Sequence, residues 1–218
     1  YKRLPKRLPR SLGFKRYALE FDGVDDYVDF GDVLIDGWSE LTVMAWVYPY
    51  SLGTATPSGH TLQDEHVIVH KAGADDDNLG ITLCEEGTAF YLDDGADHTL
   101  IGSPVPTRRW SCIACVHNGV MRIYINGELD AEGETVGTII DNTNSLRVGG
   151  RHEVDPTAPY YFDGLIAEVL IYNRALSQAE IKRNMLEYHN PVRDGLVLWL
   201  HDRIVGDTWH DESGLGND

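Results

Sequence analysis

The 218-residue chain carries 35 acidic against 18 basic side chains, a formal net charge of −17. Such a charge repels nucleic acid and anionic membrane surfaces, and no apolar run approaches the ~18 residues that a membrane-spanning helix needs. One domain of this length buries about 70% of its unfolded surface, so it can fold without a metal or a framework of disulfides, for which three cysteines are ill suited. No signal-peptide pattern opens the sequence.

Residues 1–16 hold seven basic side chains (Lys2, Arg3, Lys6, Arg7, Arg10, Lys15, Arg16) and no acidic one. The rest keeps 11 basic against 35 acidic residues, a net of −24. Lys-Arg-Leu-Pro occurs at 2–5 and again at 6–9. Each proline lacks an amide donor and disfavours helix in the residue before it, so the arm is expected to be extended. Three readings stay open for it: a disordered tail, an arm docked on an acidic neighbour, and a nucleic-acid tether.

Strand-like runs then recur with Gly, Asp and Asn between them, the pattern of an all-β sandwich. In Ala18–Phe30, Phe-Asp-Gly marks a turn beside Tyr27-Val28. Thr42, Met44 and Trp46 alternate with Val43, Ala45 and Val47, so this strand is apolar on both faces and reads as central. His66 and His70 lie about 13 Å apart on a strand, too far to share a zinc ion. Asp75, Asp77, Gly80 and Glu86 fit four positions of an EF-hand loop. Leu79 occupies a ligand position, however, and both flanks read as strands, so a solvated acidic loop is expected in preference to a loose cation site.

Cys112 and Cys115 point to opposite faces of a strand, which suits small buried residues rather than a redox pair. Asn126-Gly127 fits a type I′ hairpin turn after Arg122–Ile125. In the loop Arg151–Tyr161, Tyr160 and Tyr161 offer stacking faces, and Arg151, His152 and Asp155 offer hydrogen bonds to sugar hydroxyls. The bland alternative is a long connector packed on the sandwich edge. A helix follows: Ser177 and Glu180 form a capping box, and Ile181, Met185 and Tyr188 give one apolar stripe. The tail from Asp194 contains Leu196-Val-Leu-Trp-Leu200, too apolar to hang in solvent.

Ala18–Phe30 and a second Phe-Asp-Gly segment, Tyr161–Ser177, with Thr42–Val47, Trp110–Val116 and Arg122–Gly127 between them, resemble the laminin G-like, concanavalin A-like jelly-roll family from Tyr17 to Leu186. The resemblance implies an antiparallel two-sheet jelly-roll sandwich with one short C-terminal helix. The expected organisation is a basic arm (1–16), the sandwich (17–190) and a strand-like tail (191–218). It also implies a calcium ion on hard oxygen ligands, with Asp22, Asp25, Asp26, Asp163 and Glu168 as the candidates. Where the family commonly reads Ile-Asp-Glu-Val, this chain has Ala167 before Glu168, which removes one carboxylate.

The tail resembles the opening strand and turn of a further domain of the same family, a strand absent upstream of Tyr17. Three fates follow: the start of a tandem module, a return to its own sheet, or strand exchange with a neighbour. Glu128, Asp130 and Glu132 match the Glu-x-Asp-x-Glu strand of laminarinase-type glycoside hydrolases, but they follow a hairpin turn at the rim.

The leading expectation is a non-enzymatic structural or display module on a virion, cell or other extracellular surface. It would self-associate, or bind other surface proteins, through Lys2, Arg3, Lys6, Arg7 and Arg10 of the arm and Leu196, Leu198, Trp199 and Leu200 of the tail. The alternative is a calcium-dependent carbohydrate-binding adhesion domain, and a glycoside hydrolase is a distant third.

Overall fold

A computed structural model describes residues 6–7, 17–33, 35, 37–54, 65–72, 77–140, 143–151, 161–187, 189–205 and 208–217. In chain order the strands are β1 (Lys6–Arg7), β2 (Tyr17–Asp22), β3 (Val28–Asp29), β4 (Leu41–Pro49) and β5 (His66–Ala72). They continue as β6 (Asp77–Cys84), β7 (Gly87–Asp93), β8 (Asp97–Gly102), β9 (Ser111–His117) and β10 (Val120–Ile125). After these come β11 (Glu128–Thr135), β12 (Leu146–Val148), β13 (Asp163–Tyr172), helix α1 (Gln178–Leu186), β14 (Leu196–Val205) and β15 (Thr208–Asp211).

The strands form two antiparallel sheets. The larger runs β1-β2-β13-β4-β9-β10-β11, with β14 and β15 branching from β13; the smaller runs β3-β12-β5-β6-β7-β8. Between the sheets, Val43, Ala45, Val47, Ile113, Cys115, Ile166 and Val169 meet Ile81, Leu83, Phe90, Leu92, Leu146 and Val148. A second apolar layer explains why β4 is apolar on both sides. Met44, Trp46, Cys112, Tyr124, Leu170 and Tyr172 lie on the outer face of the larger sheet, packed with Leu176 and Ile181. Cys112 and Cys115 thus face opposite layers, both as buried free thiols, and burial pushes the Cys115 thiol up.

The local signals hold. Asn126 (φ 53°) and Gly127 (φ 80°) make the hairpin turn. The Ser177 amide donates to Glu180 Oε2 at 2.8 Å, and the Glu180 amide returns to Ser177 Oγ at 3.4 Å. The Arg174 guanidinium, hydrogen-bonded to Glu180, holds that carboxyl down at about 2. Ile181 is buried and Met185 half-buried; Tyr188 lies outside the described residues. The buried Asn184 went unread in the sequence. Its side chain donates to the Tyr172 hydroxyl (2.9 Å) and accepts from the Val192 amide (2.8 Å), tying helix, sheet and tail together. The EF-hand spacing dissolves, because β6 runs straight through Asp77, Leu79 and Gly80; Asp75 lies outside the described residues. Among the described residues no helix is long and apolar enough to cross a membrane.

The tail returns to its own sheet. Leu196, Leu198, Trp199 and Leu200 pair with Tyr172, Ile171, Leu170 and Val169, along the same edge of β13 that β2 occupies at Asp163–Ile166. This corrects the expectation that these four residues sit at an assembly interface. Leu198 and Leu200 are fully buried in the central core, while Leu196 and Trp199 are buried in the outer layer. The physical reason is local: a buried leucine gains about 1.5–3 kcal/mol, and closing the chain's own edge requires no second molecule. At the other end, Lys6 and Arg7 pair with Ala18 and Tyr17 of the same chain. Lys2, Arg3 and Arg10 lie outside the described residues.

Candidate functional site

The two Phe-Asp-Gly turns meet at one end of the sandwich. Asp163 opposes Asp22 in register, and the Gly23 amide donates to the Phe162 carbonyl at 3.1 Å. Gly23 sits at φ 74°, and a Cβ there would lie 3.0 Å from Asp163 Cβ. Glycine takes this left-handed backbone without strain and leaves room for that approach.

Around this turn Asp22 Oδ1 accepts from the amides of Val24 (3.0 Å) and Asp25 (3.4 Å). Asp26, only 3% exposed, accepts from the Asp22 amide at 3.1 Å. One oxygen each of Asp22, Asp25 and Asp26 lies within 4.8 Å of the others, and among the described residues this is the only such group of three or more His, Cys, Asp or Glu side chains. Three convergent carboxylates are a hard-oxygen donor set, which fits calcium and not a thiolate- or imidazole-loving metal.

The other two expected ligands go elsewhere. Asp163 lines the turn, but its carboxylate accepts from Ser51 Oγ at 2.5 Å. Glu168 does not reach the turn at all. A register shift between Ile166 and Glu168 turns it into the outer layer, where it is 1% exposed. There it accepts from Trp199 Nε1 at 3.1 Å and lies 3.5 Å from His201 Nδ1. A bulge of this kind re-aims a side chain without leaving a trace in the strand's composition.

The stacking loop is described at its two ends. Tyr161 stacks on Tyr27 at 6.5 Å and 26°. The Arg147 guanidinium lies 4.3 Å over the Tyr27 ring and bonds Asp29 (2.9 Å) and the Arg151 carbonyl (3.2 Å). Tyr27 follows Asp26 directly, so the tyrosine pair adjoins the carboxylate turn. His152, Asp155 and Tyr160 lie outside the described residues. Tyr27 and Arg147 were not singled out in the sequence; Arg147 enters through its pairing with Asp29 across β12 and β3.

The glycosidase-like carboxylates serve three separate partners. Glu128 pairs with Lys182 at 2.7 Å, Asp130 accepts from the Ser103 amide at 2.6 Å, and Glu132 pairs with Arg122.

Residues 22–182 match the family model of the concanavalin A-like lectin/glucanases superfamily. The chain belongs to that superfamily. Solved members of the fold agree with the architecture. Domain 4 of the extracellular arabinanase AbnA from Geobacillus stearothermophilus, solved with arabinotriose, shares 24% identity at a TM-score of 0.58, over 78% of this chain and 77% of that one. A Bacteroides ovatus protein assigned to carbohydrate binding shares 18% identity at 0.67, over 90% of this chain and 55% of its own length. The enzymatically active domain of tailspike protein 2 from bacteriophage CBA120 shares 16% at 0.61, over 90% of this chain and 31% of that one. At these identities the likeness establishes the fold. Comparison with curated proteins returns no match.

Proposed function

We propose that this domain is a non-catalytic carbohydrate-binding module of a cell or virion surface, with its site at the end where the two Phe-Asp-Gly turns meet. The observation that carries this reading is the convergence of Asp22, Asp25 and Asp26 beside the Tyr27–Tyr161 pair. An all-oxygen cation site next to aromatic rings is suited to sugar, whose hydroxyls take polar contacts and whose C–H faces stack. In this reading calcium, held by those three aspartates, would fix the turn and offer open coordination to hydroxyl groups. The superfamily and the sugar-binding neighbours support the ligand class.

A glycan array with and without a chelator tests it. At least one glycan should be bound only without chelator, and that binding should be lost in Asp26→Asn and weakened about tenfold or more in Tyr161→Ala. An array on which no glycan depends on chelator or on these residues would overturn the assignment.

The structural or display role remains a second reading. It is favoured by the charge contrast between residues 1–16, with seven basic side chains and no acidic one, and a remainder of net charge −24. Light scattering at low and high salt tests it, because attraction between an exposed arm and an acidic neighbour is screened by salt.

A further inference from the structure

The outer face of the larger sheet is divided. Helix α1 covers the part around Met44, Leu170 and Tyr172. Beyond it, at the end of β4, lies a group of half-buried side chains that the site above does not use: Glu20, Tyr48, Tyr50 and Trp110. Glu20 and Tyr48 both oppose Leu165, from β2 and β4 respectively. Trp110 immediately precedes β9, whose Ser111 pairs with Val47.

Tyr48 lies 5.5 Å from Trp110 at 55°, and 6.0 Å from Tyr50 at 86°. The rings therefore form a cradle, not a flat shelf. The indole Nε1 is buried, so the part of Trp110 facing solvent is carbon. The Tyr50 hydroxyl donates to Glu20 Oε1 at 3.1 Å. Burial, and then the Glu20 carboxylate, push that phenol up to about 12, which keeps it a neutral donor. Arg108 holds the cradle in place. It sits at φ 57°, a conformation non-glycine residues seldom adopt, and its amide donates to the Pro49 carbonyl at 2.7 Å.

We infer that Tyr48, Tyr50, Trp110 and Glu20 form a second carbohydrate subsite, for a single chain of a neutral polysaccharide. Aromatic carbon walls take the C–H faces of a sugar ring, and a carboxylate–phenol pair at the edge takes its hydroxyls. The walls are not coplanar, so they grip one soluble chain in preference to the flat face of a crystalline polymer. The protein's net charge of −17 disfavours a polyanionic ligand. The cradle also adjoins the first site, because the Tyr50 amide donates to the Asp163 carbonyl at 2.8 Å and Ser51 bonds the Asp163 carboxylate. The subsite shares its ligand class with the proposed function but none of its residues, so either can fail alone.

The test uses the whole chain with soluble xylan, arabinan and mixed-linkage β-glucan, by affinity electrophoresis in the presence of chelator. At least one polymer should retard the wild type; Trp110→Ala and Tyr48→Ala should each weaken that retardation about tenfold, while Tyr161→Ala leaves it unchanged. Hydroxyl-radical footprinting of the wild type, which needs no variant to fold, should show Tyr48, Tyr50 and Trp110 protected by the same polymer. Three results would each overturn the inference: no retardation by any polymer, retardation without protection of these rings, or protection that appears without polymer as protein concentration rises. The last would make the cradle a contact between two copies.

Discussion

The tripeptide Phe-Asp-Gly occurs twice, at 21–23 and 162–164, and its two copies do unequal work. The phenylalanines are equivalent: Phe21 and Phe162 are both buried and meet edge to face at 6.2 Å and 88°. The aspartates diverge, Asp22 joining two more carboxylates and its own turn amides while Asp163 turns to Ser51. The glycines differ most. Gly23 has one close neighbour, a side-chain carbon at 3.0 Å, whereas a Cβ at Gly164 (φ 148°) would meet the Tyr48 carbonyl oxygen at 2.3 Å and Pro49 Cα at 2.9 Å. A motif thus marks a turn, and the strand beside it decides what the turn can tolerate.

The glycines offer the sharpest way to break this comparison. Gly164→Ala should destabilise by at least about 3 kcal/mol, because backbone in the middle of the larger sheet must move to admit the methyl group. Urea denaturation would read this as a large fall in midpoint, or as failure to fold. Gly23→Ala should cost less, about 1–2 kcal/mol for a left-handed alanine, because its one tight contact, Asp163 Cβ at 3.0 Å, needs a give of only a few tenths of an ångström. Equal losses at the two positions would show that the turns are equivalent after all.

The aspartates sharpen it at a smaller scale. Removing either should cost about 0.5–1.5 kcal/mol of hydrogen bonding. Their responses to calcium should separate them: thermal melts should rise with calcium in the wild type and in Asp163→Ala, but not in Asp22→Ala. A calcium response that disappears in Asp163→Ala instead would place the ion between the two turns.

The sequence already exposed much of the fold because its signals there are local. Val43 to Val47 alternate without a polar face, Asn126-Gly127 specifies one turn type, and Ser177 with Glu180 specifies a helix start. What stayed hidden depends on register. Glu168 stands among the implied calcium ligands until the register shift beside Ala167 turns it into the outer layer against Trp199 and His201. Leu196 to Leu200 announce burial, but apolarity alone cannot name the edge they join. The three aspartates of the carboxylate turn were named through the family resemblance and lie close in sequence, whereas Tyr27 and Tyr161 come together only once Asp163 is paired with Asp22. The aromatic cradle likewise joins β4 to the residue before β9, two segments that nothing in the chain marks as neighbours.

Strand β13 lies between β4 on one side and both β2 and β14 on the other. In a growing polypeptide, β4 leaves the ribosome long before Asp163 does, and at roughly 5–20 residues per second it waits several seconds for that partner. Throughout that interval one edge of an apolar strand is open to any similar strand on a neighbouring polysome. Yield should therefore depend on translation speed and chaperone supply more than on the stability of the finished domain.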